Sequence, residues 1–234
     1  MRYDPPLIPG TLIKRYKRFL VDVQLDTGEV IVCHCPNSGA MLGINTPGLR
    51  VWVQPIVNPT GKLGYRFEMV EVQNTYVGAN TARPNKLVEE ALRLRTLVPF
   101  GGYECVTREV KYGAHSRMDF LLSGPNLPNH YVEVKNVHHK VADQARFPDS
   151  VTVRGTKHLR ELMACVKEGG RASVVFVIQR DDCVSFAPAA EIDTTFAQAF
   201  REACAAGVDM YAYLCTVCPI SLEILREIPI IKDN

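Results

Sequence analysis

The sequence offers little that points to a membrane or to a small-molecule cofactor. No apolar stretch approaches the roughly 20 residues that span a bilayer, and the segment from Met1 to Pro6 lacks the apolar run of a signal peptide. The expectation is a cytoplasmic protein with no membrane segment. Internal repeats and low-complexity tracts are missing, and so are sugar-phosphate and nucleotide-cofactor motifs. Net charge is also scarce. At +2 over 234 residues it excludes a globally basic surface, so any polyanion footprint must be local. Such a footprint lies between residues 108 and 160, where nine Lys or Arg stand against five Asp or Glu. Five of the six histidines (115, 130, 138, 139 and 158) fall there too.

Eight cysteines are present, but their placement suits neither disulfides nor zinc. Cys105, Cys165, Cys183 and Cys204 stand among apolar residues, as reduced core cysteines do. Cys33 with Cys35 and Cys215 with Cys218 could supply four zinc ligands or a redox pair. The first two share one face of a strand, however, and the second two follow a strand with no helix after them to lower a thiol pKa. All eight read as ordinary reduced cysteines.

With 47% hydrophobic residues the chain can bury a sizeable core, and its length suits two modest domains. Residues 12–77 read as short strands, clearest at 19–25, 29–35, 51–53 and 67–72, with Asp26-Thr27-Gly28 as a hairpin turn. This spacing favours a small β-barrel over residues 1–80. Cap-forming residues and a proline at 80–85 open a second domain over 81–234. Its first helix carries Leu87, Val88, Ala91, Leu92 and Leu94 as one stripe, with Glu90 at the border. A hairpin follows, then a helix with Leu159, Leu162, Met163 and Val166 closed by Gly169-Gly170. A buried strand at 172–178, a helix capped by Asp193 and a strand through Val208, Met210, Ala212 and Leu214 complete the order. The class is α/β (α+β), with a mixed sheet flanked by helices.

The hairpin, 117–122 and 131–135 around a turn at 123–129, carries the chemistry. Side chains two apart in a strand share a face, which pairs Glu133 with Lys135, and Asp119 faces them from the first strand. Two carboxylates can hold a hard cation such as Mg2+ or Mn2+, and a lysine supplies a donor and positive charge for phosphodiester hydrolysis. The plain alternative is a solvated face of an edge strand. Glu109-Val110-Lys111 repeats the Glu-x-Lys spacing without the apolar strand and compact turn, so context must separate the two.

Several tracts carry a resemblance: 15–20, 34–41 (His34-Cys35-Pro36-Asn37-Ser38-Gly39-Ala40-Met41), 109–113, 133–135, 147–149 and 154–159. Together they resemble the sugar fermentation stimulation protein A (SfsA) family, and the second domain is similar to a PD-(D/E)XK nuclease core. The resemblance implies an OB-like N-terminal barrel, a nuclease-like domain and DNA binding with little sequence preference. Carried over, it makes Asp119 and Glu133 metal ligands, Lys135 the residue that orients or activates water, and Glu90 the acid on the preceding helix. The pattern's proline is Met118 here.

For nucleic-acid contact, Lys14, Arg15, Tyr16, Lys17 and Arg18 interleave cations with aromatics as in a backbone-tracking groove, or else form the basic face of a strand. Asn37 and Ser38 lie in a strong turn that could also touch nucleic acid. Arg117 precedes Asp119, and Arg154, Lys157 and His158 lie near a helix start suited to phosphate. Two functions follow: a Mg2+-dependent nuclease acting on DNA or RNA, or a non-specific DNA-binding regulator that keeps the nuclease fold without turnover. Apolar strand edges allow a homodimer, though no residue specifies one.

Overall fold

The computed structural model describes residues 1–59, 61–112 and 116–232; Gly113 and His115, used in the sequence reading, lie outside them. Five strands, β1 (Ile8–Tyr16), β2 (Leu20–Leu25), β3 (Val30–His34), β4 (Arg50–Pro55) and β5 (Tyr65–Val72), run in the order β3-β2-β1-β4-β5. Parallel pairing of Cys33 with Tyr65 and His34 with Arg66 closes them into a barrel. Strand alternation makes its interior: Val21, Val23 and Leu25 on β2 and Ile31 and Cys33 on β3 are buried, while Gln24, Val30 and Val32 are exposed. A further strand, β6 (Thr75–Gly78), extends β5. This is the expected OB-type barrel.

Gly28, at φ 90°, turns β2 into β3 where Asp26-Thr27-Gly28 suggested a hairpin. The preceding hairpin has no such mark. Lys17 and Arg18 turn β1 into β2 at φ 48° and 62°, a conformation usually left to Gly or Asn.

Helix α1 (Arg83–Arg93) opens the second part, followed by β7 (Cys105–Tyr112), β8 (Ser116–Gly124) and β9 (Leu127–Val137). The turn joining β8 to β9 is tighter than expected, with only Pro125 and Asn126 between the strands. Two short strands, β10 (Lys140–Val141) and β11 (Gln144–Phe147), lead to α2 (Val153–Lys167) and β12 (Arg171–Ile178). β13 (Ser185–Pro188), α3 (Thr194–Ala205), β14 (Asp209–Val217) and β15 (Leu222–Glu227) complete the chain. The main sheet is ordered β15-β14-β12-β9-β8-β7, with β12 parallel to both neighbours and the remaining pairs antiparallel. β10, β11 and β13 form a small second sheet.

Period-2 alternation in β12 serves two cores. Val175 and Val177 pack with Leu87, Val88 and Leu92 of α1, while Val174 and Phe176 pack with Leu159 and Leu162 of α2 and Phe196 and Phe200 of α3. The mixed sheet flanked by helices is as the sequence predicts. Leu94 departs from its stripe: it is the C-cap residue of α1 and lies exposed. Cys105 is also exposed, on the edge strand β7, and Cys204 is half-buried; all eight cysteines are free thiols.

The two parts are tied closely together. Gly78 donates its N–H to Gln179 O at 2.8 Å, and a Cβ on Gly78 would collide with the Gln179 side chain, so glycine permits the approach. Residues 1–3 precede the barrel yet reach the edge of the main sheet at β15, where Tyr3 N–H donates to Ile220 O and Leu222 N–H donates to Met1 O. Behind this seam, Glu68 of β5 is buried and accepts from Arg83 of α1 at 2.7 and 2.9 Å and from Asn80 at 2.8 Å.

Candidate active site

β8 and β9 stay paired as far as Phe120 and Val132. Asp119 follows, next to the last paired residue, and bonds to what lies on either side. Its Oδ2 accepts the N–H of Val134 at 2.8 Å, and its Oδ1 accepts the Asn85 amide of α1 at 2.7 Å. Val132 and Val134 enter the core under α1, so alternation sends Glu133 and Lys135 to the α2 side.

Glu133 is 3% exposed. Its Oε1 accepts from Lys135 Nζ at 2.6 Å and makes a very short bond with His158 Nδ1. Arg154 Nε donates to His158 Nε2 at 3.3 Å, which assigns the ring proton to Nδ1 and makes His158 the donor to Glu133. The other carboxylate oxygen, Oε2, is buried with no hydrogen-bond partner among the described residues. Burial raises the pKa of Asp119 to about 6, and the charge of Glu133 pushes the same way, against Val134 N–H, Lys135 and Asn85. Burial also opposes ionisation of Glu133, but Lys135 and then His158 outweigh it and hold that pKa low.

These side chains lie in a cleft of about 400 Å³ between the barrel and the second domain. Arg154 lines it from α2, and Arg18 and Ser38 line it from the barrel. The barrel loop is docked there by Asp149, whose Oδ2 accepts Met41 N–H at 2.8 Å, and a Cβ on Gly39 would lie only 2.5 Å from Asp149 Oδ1. Asp149 sits in one of the tracts that carried the resemblance, but nothing in its neighbours marks it as a contact to the barrel.

Other expected site residues are placed differently. Glu90 is half-exposed and pairs with the Met1 ammonium at 3.3 Å; the α1 residue that reaches Asp119 is Asn85. His158 is buried against Glu133 instead of being open to phosphate. Arg15 is spent on the loop, donating to Asn37 O at 2.7 Å and Gly39 O at 2.9 Å. Asn37 lines the cleft but is 2% exposed, its amide donating to Ala79 O and its Oδ1 accepting Gly39 N–H. Lys14 and Tyr16 both turn to Asp22. Lys17 is exposed at the β1–β2 turn, Arg117 is exposed on β8, and Lys157 is one face round from the cleft, 3.6 Å from Glu161. Glu109 and Lys111 lie exposed on the edge strand β7, which separates that pair from Glu133 and Lys135.

Among the described residues no group of three or more His, Cys, Asp and Glu could hold a metal ion. No described helix is long and apolar enough to cross a membrane.

Comparison with known proteins bears on the whole chain. The family model for the sugar fermentation stimulation protein RE domain matches residues 82–220, and that for the SfsA N-terminal OB domain matches residues 13–79. A sugar fermentation stimulation protein homolog of Paramagnetospirillum magneticum is 48% identical over 224 residues, covering 96% of this chain and 95% of the relative. Its counterpart in Agrobacterium fabrum is 48% identical over 225 residues, covering 96% and 94%. Among solved structures, Pyrococcus furiosus SfsA in complex with Ca2+ superposes with a TM-score of 0.90 at 24% identity, over 98% of this chain and 97% of that one. A repair endonuclease of Pyrococcus abyssi matches at a TM-score of 0.32 and 9% identity, too distant to bear on function. On the two family models and relatives of this identity and coverage, the chain belongs to the sugar fermentation stimulation protein (SfsA) family.

Proposed function

We propose that this protein is a divalent-metal-dependent phosphodiesterase acting on DNA or RNA with little sequence preference. One observation carries the reading: two carboxylates and a lysine share a cleft with Arg18 and Arg154, and the buried Glu133 Oε2 has no partner among the described residues. A buried carboxylate oxygen left unpaired is costly, and a cation held there would satisfy it. Asp119 and Glu133 fit Mg2+ or Mn2+, since such hard ions take oxygen ligands and Mg2+ keeps several waters beside one or two carboxylates. Ca2+, reported with the Pyrococcus furiosus relative, is of the same hard class.

A bound divalent cation would offset charge on the phosphoryl oxygens and make water a better nucleophile. The chain's own groups do the rest. Lys135 Nζ, held 2.6 Å from Glu133 and 3.4 Å from His158, stands ready to orient the attacking water and to meet charge on the phosphoryl group. Arg18 and Arg154 approach from opposite walls to hold the phosphate. His158 aims Glu133 by donating to Oε1, which leaves Oε2 for the cation. His158→Ala is therefore expected to weaken Mn2+ affinity by about 10–100-fold in titration calorimetry. Unchanged affinity would deny His158 that role.

The direct test incubates pure protein with labelled single-stranded and duplex DNA and RNA, with Mg2+, Mn2+ or a chelator. Cleavage that stops with the chelator supports the reading. Binding without cleavage under every condition would return the regulator without turnover. Affinity should also fall steeply with salt, because phosphate contacts release counterions, and a salt-independent affinity would count against the cationic cleft.

A further inference from the structure

Beside the cleft, the starts of α2 and α3 enclose a second depression of about 390 Å³, walled by Val151, Val153, Thr156 and Thr195 with Lys157 and Arg160. Val151 belongs to this wall and to that of the catalytic cleft, so the two adjoin across its side chain. The cap of α2 turns the apolar walls outward. Thr152 is held inward, donating its N–H to Asp193 and accepting from Gly155 N–H, and its neighbours Val151 and Val153 are left 70% and 81% exposed. A single exposed apolar residue needs no explanation, but two β-branched ones at the mouth of a depression make a patch that suits a ligand. The carboxylate in the wall, Asp193, has both oxygens occupied, by Thr152 N–H and Phe196 N–H. The depression therefore presents apolar walls and two cations.

We propose that this groove receives the base of the nucleotide next to the one whose phosphate lies at Asp119 and Glu133, which makes the substrate an unpaired strand. The inference rests on the phosphodiesterase reading and adds the substrate class. A strand leaving the cleft past Val151 brings a flat apolar ring to Val151 and Val153, and its phosphates meet Lys157 and Arg160. The volume lies within the roughly 300–1,000 Å³ of pockets that enclose a small organic group. In a duplex the same base is stacked and paired and must first be flipped out. Adjacency to the cleft of Asp119 and Glu133, with Val151 in both walls, and the cations Lys157 and Arg160 favour this polyanion over an apolar protein segment.

The test measures binding by fluorescence anisotropy in Ca2+, using the full chain and three labelled probes: a single strand, its duplex, and the single strand with abasic residues. Wild type should prefer the single strand over the duplex by about tenfold or more and lose about tenfold on the abasic probe. Val153→Asp, an exposed change that leaves the core intact, should lose about tenfold on the single strand. It should then show no further loss on the abasic probe, whereas Val153→Ile keeps wild-type behaviour. Equal affinity for single strand and duplex, or wild-type binding by Val153→Asp, would overturn the groove while leaving the phosphodiesterase reading standing. Concentration-dependent self-association abolished by Val153→Asp would assign the groove to a second copy of the chain and also overturn it. Failure of wild type to bind any of the three probes would instead remove the phosphodiesterase reading itself.

Discussion

Asp119→Asn and Lys135→Ala are each expected to lower phosphodiester cleavage by about 10²–10⁴-fold, the usual scale for removing a positioned acid–base or charge-stabilising group. The two should differ in stability. In the metal-free protein Asp119 has a pKa raised from 3.8 to about 6, mainly by burial and then by Glu133. The folded chain thus holds a proton there that the unfolded chain has released, and stability falls as pH rises from about 4 to about 6. Above that range the ionised carboxylate costs the fold about 3 kcal/mol. Asp119→Asn removes this cost, so without metal at neutral pH the inactive variant should unfold at a higher urea concentration than wild type. Below pH 4 the difference should vanish. Lys135→Ala goes the other way, because it takes from the buried Glu133 its leading source of charge stabilisation. Urea midpoints across pH check both signs, and an Asp119→Asn variant less stable than wild type at neutral pH would contradict the account of Asp119.

The second large effect concerns the seam between barrel and sheet. Glu68→Ala is expected to destabilise the protein by about 3–5 kcal/mol, since it leaves the Arg83 guanidinium buried without its counter-charge. Arg83 also donates to Gln54 Oε1 and lies over the Tyr3 ring, so it cannot swing out to water without breaking those contacts. Replacing Glu68 and Arg83 together with apolar residues of similar size should cost less than Glu68→Ala alone, because no charge is then stranded. Equilibrium urea unfolding of the single and double variants measures this. A Glu68→Ala midpoint equal to that of wild type would show that the buried pair contributes nothing.

Strong alternation made much of this fold legible in the sequence. The continuous apolar run 172–178 read as a buried strand, as β12 is, and alternation in β9 placed Glu133 and Lys135 together. β7, β10, β11, β13 and β15 were missed because they are short or largely exposed, and β11 and β13 are joined to each other across a long stretch of chain. The Lys17-Arg18 turn was hidden because neither residue advertises a positive φ. In the site, Asp119, Glu133 and Lys135 could be read because one hairpin brings them together. Asn85 could not: Glu90, five residues on, lies about 140° round the same helix, and sequence alone does not say which face meets the hairpin. Arg15 and Asn37 looked like a binding surface, yet each is engaged within the barrel with groups 22 and 42 residues away. Local sequence does not reveal which polar groups a folded loop consumes.

Everything proposed for the cleft depends on Asp119 and Glu133 forming a metal-dependent phosphodiesterase site. Manganese-dependent cleavage of labelled oligonucleotides, followed for wild type and Asp119→Asn purified side by side, tests it most directly. Wild type should cleave in a manner that a chelator abolishes and that Asp119→Asn reduces by about 10²-fold or more. Equal cleavage by the two proteins, or cleavage by wild type that survives the chelator, would contradict it.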